Sequence, residues 1–129
     1  MTAGVTYDTG ALVAAERNDR AMWALHAGFL AEEVAPTVPA PVLAEAWRGG
    51  GGRQASLSRL LAMCDIEPMS EDQARKVGVL AGQARHCDIV DVIVVEGAVR
   101  RDDAVVTAND AHIRTIADAT GVRLRIEHV

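Results

Sequence analysis

The chain has 129 residues and a formal net charge of −5; half of its residues are apolar and only 3% are aromatic. This length predicts a single domain, residues 1–129, that can bury a core of Ala, Val, Leu and Ile without disulfide or metal crosslinks. The acidic balance argues against broad electrostatic affinity for polyanions, which requires basic surface, but it does not exclude a local basic groove. The longest apolar stretch, 89–99, contains Asp91 and Glu96 and is shorter than the roughly 20 residues that span a bilayer, so no membrane association is expected.

The N-terminus and the cysteines indicate the compartment. Residues 1–5 lack the basic start and apolar block of a secretory signal, so the cytoplasm is the expected location. Cys64 and Cys87 have no Cys-x-x-Cys spacing, and we interpret both as buried thiols without a chemical role.

Strand and helix patterns alternate in the first half of the chain. Short Val- and Thr-rich pieces are typical of strands, and apolar residues at near-helical spacing indicate helices. Four glycines at 49–52 should end a helix and form a flexible loop; no Gly-Lys-Ser/Thr follows them, as a P-loop would require. The predicted elements are a strand at 5–7, a helix through 12–15, a helix at 20–33, a strand at 34–38, and a helix that begins at Pro39 and Pro41 and carries Leu43, Glu45 and Trp47.

The second half contains one ambiguous segment. The valines of 88–100 favour a strand, whereas its length and its Ala-Val-Arg-Arg ending are typical of a helix, and we interpret it as a buried helix. Ser70 and Gln73 resemble a capping box. The other predicted elements are a helix at 53–64, an extended piece at 66–69, a helix at 70–85, a strand at 104–107, a helix at 111–119 and a strand at 122–126.

Strands separated by helices predict a three-layer α/β/α fold with a central, mainly parallel sheet, in which ligands bind outside the carboxyl ends of the strands. Asp8 and the pair Asn109-Asp110 follow predicted strands. If 88–100 is helical, Asp88 and Asp91 share a face near its beginning.

The acidic residues at element edges suggest a metal pocket. Carboxylates brought to one place repel each other, so a fold that assembles them normally requires a divalent cation such as Mg²⁺, with Mn²⁺ as the alternative. Asp91 is the most informative member, because a carboxylate within a run of Ile and Val is costly to bury unless it caps a helix, pairs or binds metal. The candidate positions are Asp8, Glu45, Asp91 and Asn109-Asp110.

Four segments resemble the acidic motifs of PIN-domain ribonucleases, and the VapC toxins of toxin–antitoxin systems are the most similar group. The resemblance spans nearly the whole chain in the right order, and four motifs in register are fairly specific. It implies a PIN-like fold and a Mg²⁺-dependent endoribonuclease that cleaves RNA, is inhibited by a cognate VapB-type antitoxin and forms a homodimer. The segments are Tyr-Asp-Thr-Gly-Ala-Leu-Val-Ala at 7–14, Val-Leu-Ala-Glu-Ala-Trp-Arg at 42–48, Asp-Ile-Val-Asp-Val-Ile-Val-Val at 88–95 and Val-Val-Thr-Ala-Asn-Asp-Ala-His-Ile at 105–113.

The resemblance also implies roles for individual residues. Asp8, Glu45 and Asp91 match the first three acidic positions, and Asp88 resembles an accessory acid. Asp8 and Asp91 are the expected metal ligands, while Glu45 is expected to orient the attacking water or a metal ligand. Whether one or two ions bind stays open.

The fourth position departs from the family pattern. Thr-x-Asp falls on Thr107-Ala108-Asn109, so an amide stands where a carboxylate is common. Asn109 can still orient water or bind metal through its carbonyl oxygen. Asp110, one residue further on, is the alternative source of the charge, although its side chain would leave in a different direction. Among the histidines, His112 is the plausible neighbour of the pocket.

Simpler explanations exist for each residue. Asp8, Asp88 and Asp110 could be N-caps, Glu45 could be an exposed helix residue, and Thr107 needs no role beyond ending a strand. The whole chain could then be a noncatalytic PIN-like interaction domain, or, with less support, a Mg²⁺-binding receiver-type signalling module. The arginines that could line a local groove are Arg48, Arg53, Arg59, Arg85, Arg100 and Arg101.

Overall fold

The protein folds around a sheet in which every strand pair is parallel. The structure, a computed structural model, describes residues 3–49, 51–85 and 88–129. The five strands of these ranges lie in the order β3-β2-β1-β4-β5. Their bounds are β1 Val5–Tyr7, β2 Thr37–Pro39, β3 Asp65–Glu67, β4 Ala104–Thr107 and β5 Ile126–His128.

Helices cover both faces of this sheet and give the predicted three-layer, PIN-like α/β/α fold. One group consists of α1 with α2, α3 and α4 around it, and the other consists of α6 with α5 and α7. Both α1 and α6 contact the central strands β1 and β4. The helices are α1 Thr9–Glu16, α2 Arg20–Ala31, α3 Ala40–Ala46, α4 Ala55–Leu61 after a 3₁₀ turn at Gly51–Gln54, α5 Glu71–Ala84, α6 Ile89–Arg101 and α7 Asp110–Thr120.

The core is mainly aliphatic, as the composition predicts. The segment 89–101 is a helix, and its middle residues Val92 to Val95 are all buried, so the interpretation of this segment as a buried helix is confirmed. Valine disfavours helices by only a few tenths of a kcal/mol, and burial of an apolar side chain contributes about 1.5–3 kcal/mol, so packing overrides the local preference.

Arg101 anchors the carboxyl end of α6 to the sheet. Its guanidinium donates to Thr6 Oγ1 at 2.8 Å, to Asp103 Oδ2 at 2.9 Å and to Glu67 Oε2 at 2.6 Å. Thr6 Oγ1 also donates to Asp103 Oδ2 at 2.8 Å. Gly97 lies one turn earlier, and a Cβ there would come within 2.9 Å of Arg101 Nη1. The network fixes where α6 ends, and therefore where it begins.

Two predicted strands are displaced in the structure. The strand predicted at 34–38 is β2 at 37–39, because the chain is still closing α2 at Val34, whose N–H donates to Phe29 O at 2.9 Å. The strand predicted at 122–126 is β5 at 126–128, because ladder bonds to β4 begin only where Val105 N–H donates to Arg125 O at 2.9 Å. Residues 122–125, between the left-handed C-cap Gly121 of α7 and β5, belong to no strand.

The strand order argues against a receiver-type module. Such modules have the flavodoxin-like order 2-1-3-4-5. The order here is 3-2-1-4-5, with β1 in the centre and β4 and β5 on its other side. The receiver alternative is therefore wrong at the level of topology.

Two smaller expectations also have outcomes. Cys64 is partly buried, its Sγ donates to Leu60 O at 3.3 Å, and burial raises the pKa of its thiol to about 12, with a contribution from the charge of Asp65. Cys87 lies outside the described residues. No helix within the described ranges is long and apolar enough to cross a membrane.

A buried hydrogen bond joins β1 to α2. Tyr7 Oη lies 2.9 Å from His26 Nδ1, and His26 is only 3% exposed. The His26 ring also meets Trp23 edge-on, with 5.7 Å between ring centroids. Burial lowers the pKa of His26, because the imidazolium would lose its hydration in this apolar setting.

We expect acid to destabilise the fold through His26. A histidine whose pKa is lower in the folded state contributes no penalty above the unfolded pKa of about 6.5, and stability falls as pH drops from there towards the folded pKa, by up to about 1.4 kcal/mol per pH unit. Urea unfolding at pH 7.5 and pH 5 should show a larger loss for wild type than for His26→Gln, which retains a polar partner for Tyr7 but does not titrate. An equal loss in both proteins would assign the acid sensitivity to other groups.

Candidate metal centre at the carboxyl edge of the sheet

The centre of the sheet contains its topological switch point. From β1 the chain proceeds to β2 and β3 on one side, whereas β4 and β5 lie on the other side. Ligands of open α/β sheets bind outside the carboxyl ends of the strands at such a point. Asp8 directly follows β1, and Ala108 and Asn109 directly follow β4. The topology therefore brings two of the predicted segments to one place.

Gly10 allows these two segments to approach each other closely. A Cβ at Gly10 would lie 2.8 Å from Ala108 Cβ and 3.2 Å from Ala108 N. Any larger residue would push the loop after β4 away from the start of α1. Gly10 is not among the site residues predicted from the sequence. The one sequence feature that could have pointed to it is its position two residues after Asp8.

Asp8 is buried and well bonded. It is the N-cap of α1, its Oδ1 accepts from Ala11 N–H at 2.9 Å, and it also accepts a hydrogen bond from the Thr107 side chain. Only 5% of Asp8 is exposed. Burial is the main cause of its raised pKa, and the charge of Asp91 raises it further, although the hydrogen bonds from Thr107 and the backbone oppose the shift. Asp8 is thus an N-cap whose pKa is also raised by the charge of a second carboxylate, that of Asp91.

Asp91 occupies the first turn of α6. Asp88 is the N-cap of this helix, and its Oδ1 accepts from Asp91 N–H at 3.3 Å. The partial positive charge at the beginning of the helix favours a carboxylate in this turn. The Asp91 side chain is 20% exposed and so remains accessible to solvent. Asp88 therefore acts on the site by fixing the position of Asp91, which matches its simpler explanation as a cap.

Glu45 is linked to the same region through Thr9. Thr9 Oγ1 donates to Glu45 Oε1 at 2.6 Å, which ties the exposed end of α3 to the first residue of α1. Glu45 is itself exposed. Thr9 is a second residue that the sequence analysis does not identify, and only its place beside Asp8 hints at a role.

The loop after β4 adds a polar cluster. Thr107 is fully buried, and its Oγ1 accepts from Asn109 N–H at 2.8 Å. Asn109 is the N-cap of α7 without a capping side-chain bond; its Nδ2 lies 3.0 Å from His112 Nδ1. His112 Nδ1 is also 3.5 Å from Asp91 Oδ2. His112 therefore lies between the fourth predicted position and the third.

Asp110 is directed elsewhere. It is the first residue of α7, and its Oδ1 lies 2.7 Å from His128 Nδ1 on β5. The expectation that Asp110 caps α7 is wrong, because the N-cap is Asn109. Its side chain does leave in a different direction, and the bond to His128 ties it to the edge strand.

The donors suit a water-rich magnesium site better than a closed protein cage. Within the described ranges, no three His, Cys, Asp or Glu side chains are grouped so that they could hold one ion. Mg²⁺ prefers oxygen ligands, keeps several waters and is usually bound by one or two carboxylates together with substrate phosphate. Asp8 and Asp91, whose charges interact, fit that description. A closed four-ligand zinc site does not fit.

Most of the remaining candidates lie away from this centre. His26 is bonded to Tyr7, and His86 lies outside the described residues. Arg59 stacks over Trp23, with 5.4 Å between its Cζ and the ring centroid. Arg100 pairs with Glu67 at 2.7 Å and Glu96 at 3.1 Å, and Arg101 pairs with Glu67 and Asp103. These three arginines are therefore engaged by other side chains of the protein.

Comparison with solved structures supports the fold. No protein-family model and no curated protein sequence matches the chain. A chain of VapBC2 from Rickettsia felis, solved bound to a DNA fragment from its promoter, superposes with a TM-score of 0.73 at 18% identity, covering 98% of both chains. A chain of FitAB bound to the IR36 DNA fragment superposes with a TM-score of 0.66 at 17% identity, covering 96% of this chain and 94% of that one. At these identities the comparisons establish a shared fold.

We expect Asp8→Asn to stabilise the metal-free protein at pH 7. A carboxyl group whose folded pKa is raised above its unfolded value of about 3.9 reduces stability as pH rises from the unfolded pKa to the folded pKa, and the full penalty applies above the folded pKa. Asparagine caps a helix as well as aspartate and carries no charge. The free energy of unfolding in urea with chelator should rise by about 1 kcal/mol.

The matched control is Asp19→Asn. Asp19 is the exposed N-cap of α2 and accepts from Met22 N–H at 2.9 Å, so this substitution tests the cap without the acidic neighbour. Equal changes in stability for the two variants would show that repulsion and burial at Asp8 have no measurable cost.

Proposed function

We propose that this protein is a Mg²⁺-dependent endoribonuclease toxin of the VapC type that acts in the cytoplasm. The observation that carries the proposal is the pair Asp8 and Asp91: Asp8 follows β1 at the switch point of the sheet, and the charge of Asp91, in the first turn of α6, raises the pKa of Asp8. A fold that places two carboxylates in this relation loses stability unless a cation compensates. The motif resemblance and the shared fold with VapBC2 and FitAB chains support the same conclusion.

Asp8 and Asp91 are the residues that would hold the ion. Bound Mg²⁺ supplies a water of lowered pKa and screens the negative charge that develops on a phosphodiester during in-line displacement. Hydrogen bonds from Thr107 and Ala11 N–H fix the carboxylate of Asp8. The carboxylate of Asp91, whose side chain is 20% exposed, is accessible to solvent and so to a substrate phosphate.

Glu45 orients the attacking water. It is exposed, and the hydroxyl of Thr9 holds one carboxylate oxygen at 2.6 Å while the other can accept from water. Because Thr9 directly follows Asp8, this arrangement fixes Glu45 relative to the metal ligand. Glu45 accepts the water's proton as the water attacks phosphorus, and the departing oxygen is protonated from solvent.

Asn109 completes the site as a neutral oxygen donor. Its side chain makes no cap bond, and its Nδ2 lies beside His112 Nδ1, which leaves Oδ1 as the acceptor available to water. An amide in place of a carboxylate weakens a second cation site, so we propose that one ion suffices. Asp110, bonded to His128, takes no part in binding it.

A VapB-type antitoxin is the proposed partner. VapBC2 and FitAB are both complexes bound to DNA, and the chains that match this protein belong to them. Of the described residues of α2, only Met22 and His26 are buried, and Ala21, Leu25 and Phe29 line a shallow groove of about 500 Å³ on its outer side. Core burial accounts for the apolar residues Ala11, Leu12 and Ala15 of α1, but it leaves this face of α2 open to an antitoxin or to the second subunit of a homodimer.

The nuclease proposal is tested with a pool of structured RNA and antitoxin-free protein in Mg²⁺, in Mn²⁺ and with chelator. We expect metal-dependent cleavage by wild type, and Asp91→Asn should lose more than the roughly 100-fold in rate that loss of an outer-shell partner typically costs. The exposed cap variant Asp19→Asn is the control and should cleave like wild type. Metal binding, followed by calorimetry, should weaken in parallel in Asp91→Asn.

Two outcomes would contradict the proposal. Cleavage that persists in Asp91→Asn or in chelator would remove Asp91 or the ion from the reaction. Absence of cleavage and of Mg²⁺ binding by folded wild type would favour the noncatalytic PIN-like domain.

Asn109→Asp tests the fourth position. An aspartate there restores the family's Thr-x-Asp pattern and adds a charged oxygen beside His112, which in turn contacts Asp91, so Mg²⁺ affinity should rise and cleavage should be maintained or increase by up to about 10-fold. The measurement is the Mg²⁺ dependence of the cleavage rate. Weaker Mg²⁺ binding in this variant would show that the side chain does not face the ion.

A further inference from the structure

A polar cleft of about 400 Å³ lies at the far end of α1 from Asp8. Its lining combines two cationic side chains, one carboxylate and one buried amide. The volume falls within the range of about 300–1,000 Å³ that is typical of small-ligand sites. The lining residues are Glu16, Arg48, Gly49, Arg53 and Gln54.

Gln54 builds the cleft. It is 5% exposed, and its Nε2 donates to Glu16 Oε1 at 2.7 Å and to Ala46 O at 2.8 Å. Its Oε1 accepts from Arg48 N–H at 2.9 Å and from Gly49 N–H at 3.1 Å. The amide therefore uses its full hydrogen-bonding capacity. It joins the ends of α1 and α3 to the 3₁₀ turn and gives the cleft fixed walls.

The two arginines of the cleft have no carboxylate partner among the described residues. Arg48 Nη1 donates only to backbone carbonyls, to Trp47 O at 2.8 Å and to Ala44 O at 3.3 Å. Arg53 makes no side-chain hydrogen bond or ion pair to a described residue. By contrast, the carboxylates of Glu67 and Glu96 neutralise Arg100. Against the single carboxylate of Glu16, the cleft is net positive in an acidic protein.

Two helices that carry residues of the acidic site, α1 and α3, also end at this cleft. Helix α1 starts at the cap Asp8 and ends at Glu16, and at 1.5 Å per residue the two lie about 12 Å apart. Helix α3 carries Glu45, which is bonded to Thr9, and Arg48 follows its end. Both helices thus connect the site of proposed cleavage to the two arginines.

We infer that the cleft binds a backbone phosphate of the RNA strand at a distance from the bond that is cleaved. Guanidinium groups match phosphate oxygens in bidentate geometry, and two of them on one phosphate offset its charge. For a stacked strand that rises about 3.4 Å along its axis per phosphate, an axial separation of about 12 Å corresponds to three or four nucleotides. The inference rests on the proposed ribonuclease function and adds a substrate-positioning contact to it.

Salt dependence of RNA binding tests the inference. Neutralising one phosphate of a single strand contributes about 0.7 to the slope of log K against log salt concentration. In an Asp91→Asn background, which prevents cleavage, Arg48→Ala/Arg53→Ala should bind a fluorescent oligouridine about 10-fold more weakly and lower this slope by about 0.7. Arg48→Lys/Arg53→Lys keeps both charges and should retain the slope.

The matched control is Arg75→Ala/Lys76→Ala, which removes two cations from the exposed face of α5, where they pair with Glu71 and Asp72. The control changes net charge equally but should not change the slope. Equal affinities and slopes for the cleft and control variants would overturn the inference. If the cleft variant retained RNA binding but bound a polyglutamate peptide more weakly, the inference would also be overturned. The cleft would then be assigned to an acidic protein segment.

Cleavage of the dinucleotide UpU separates this inference from the proposed function. UpU has one phosphodiester bond and cannot reach the cleft, so the cleft variant in an otherwise wild-type background should cleave it at the wild-type rate, while cleaving longer RNA with a higher KM. If wild type cleaves RNA and the cleft variant matches it on both substrates, only the cleft assignment fails. If wild type neither binds nor cleaves RNA, both proposals fail.

Discussion

The structure depends on the placement of one carboxylate, that of Asp8, in a buried position within the field of another. Asp8 is 5% exposed, and both burial and the charge of Asp91 raise its pKa. Placing a charge there opposes folding, so neighbouring groups must compensate. Thr107 and Ala11 N–H donate hydrogen bonds to Asp8, and the absence of a side chain at Gly10 permits the loop that follows Thr107 to come this close. Residues outside the acidic set, such as Thr107 and Gly10, therefore help to hold this one carboxylate in place.

Asp91 is positioned from both ends of α6. The carboxylate of Asp88 caps the beginning of the helix, and Arg101 ties its end to Thr6, Glu67 and Asp103. Between the two ends, the valines that make the segment look like a strand pack in the core and prevent the helix from rotating. A rotation of one residue, about 100°, would expose core valines and bury Asp91. The apolar face of α6 thus fixes the direction of its acidic residue, and the hydrophobic core contributes to the geometry of the polar site.

The sequence predicts features that depend on local pattern and misses those that depend on contacts between distant segments. The order of strands and helices follows from periodicity, and the helical interpretation of 88–100 places Asp88 and Asp91 correctly near the beginning of the helix, as its N-cap and as a first-turn residue. The offsets of β2 and β5 arise because strand limits depend on the ladder bonds that neighbouring strands form, as with Val105 and Arg125. The capping role predicted for Asp110 fails for a related reason, since the helix begins one residue earlier than the cap pattern suggests and His128 engages the carboxylate. The contacts of Thr9 with Glu45 and of Gly10 with Ala108 join segments that are far apart in sequence.

Net charge describes this protein poorly, because opposite charges occupy opposite ends of α1. On the proposed function, the acidic end requires a cation before it can accept a phosphate, whereas Arg48 and Arg53 at the other end attract phosphate directly. An RNA strand held by the arginines would then reach the carboxylates only with a metal ion in place, so that substrate and ion would depend on each other. A protein with a basic surface throughout would bind RNA without the metal ion, so the ion would add little to its affinity for RNA. An overall charge of −5 is therefore compatible with the proposed RNA-cleaving function, provided that Arg48 and Arg53, which have no carboxylate partner among the described residues, lie along the path of the strand.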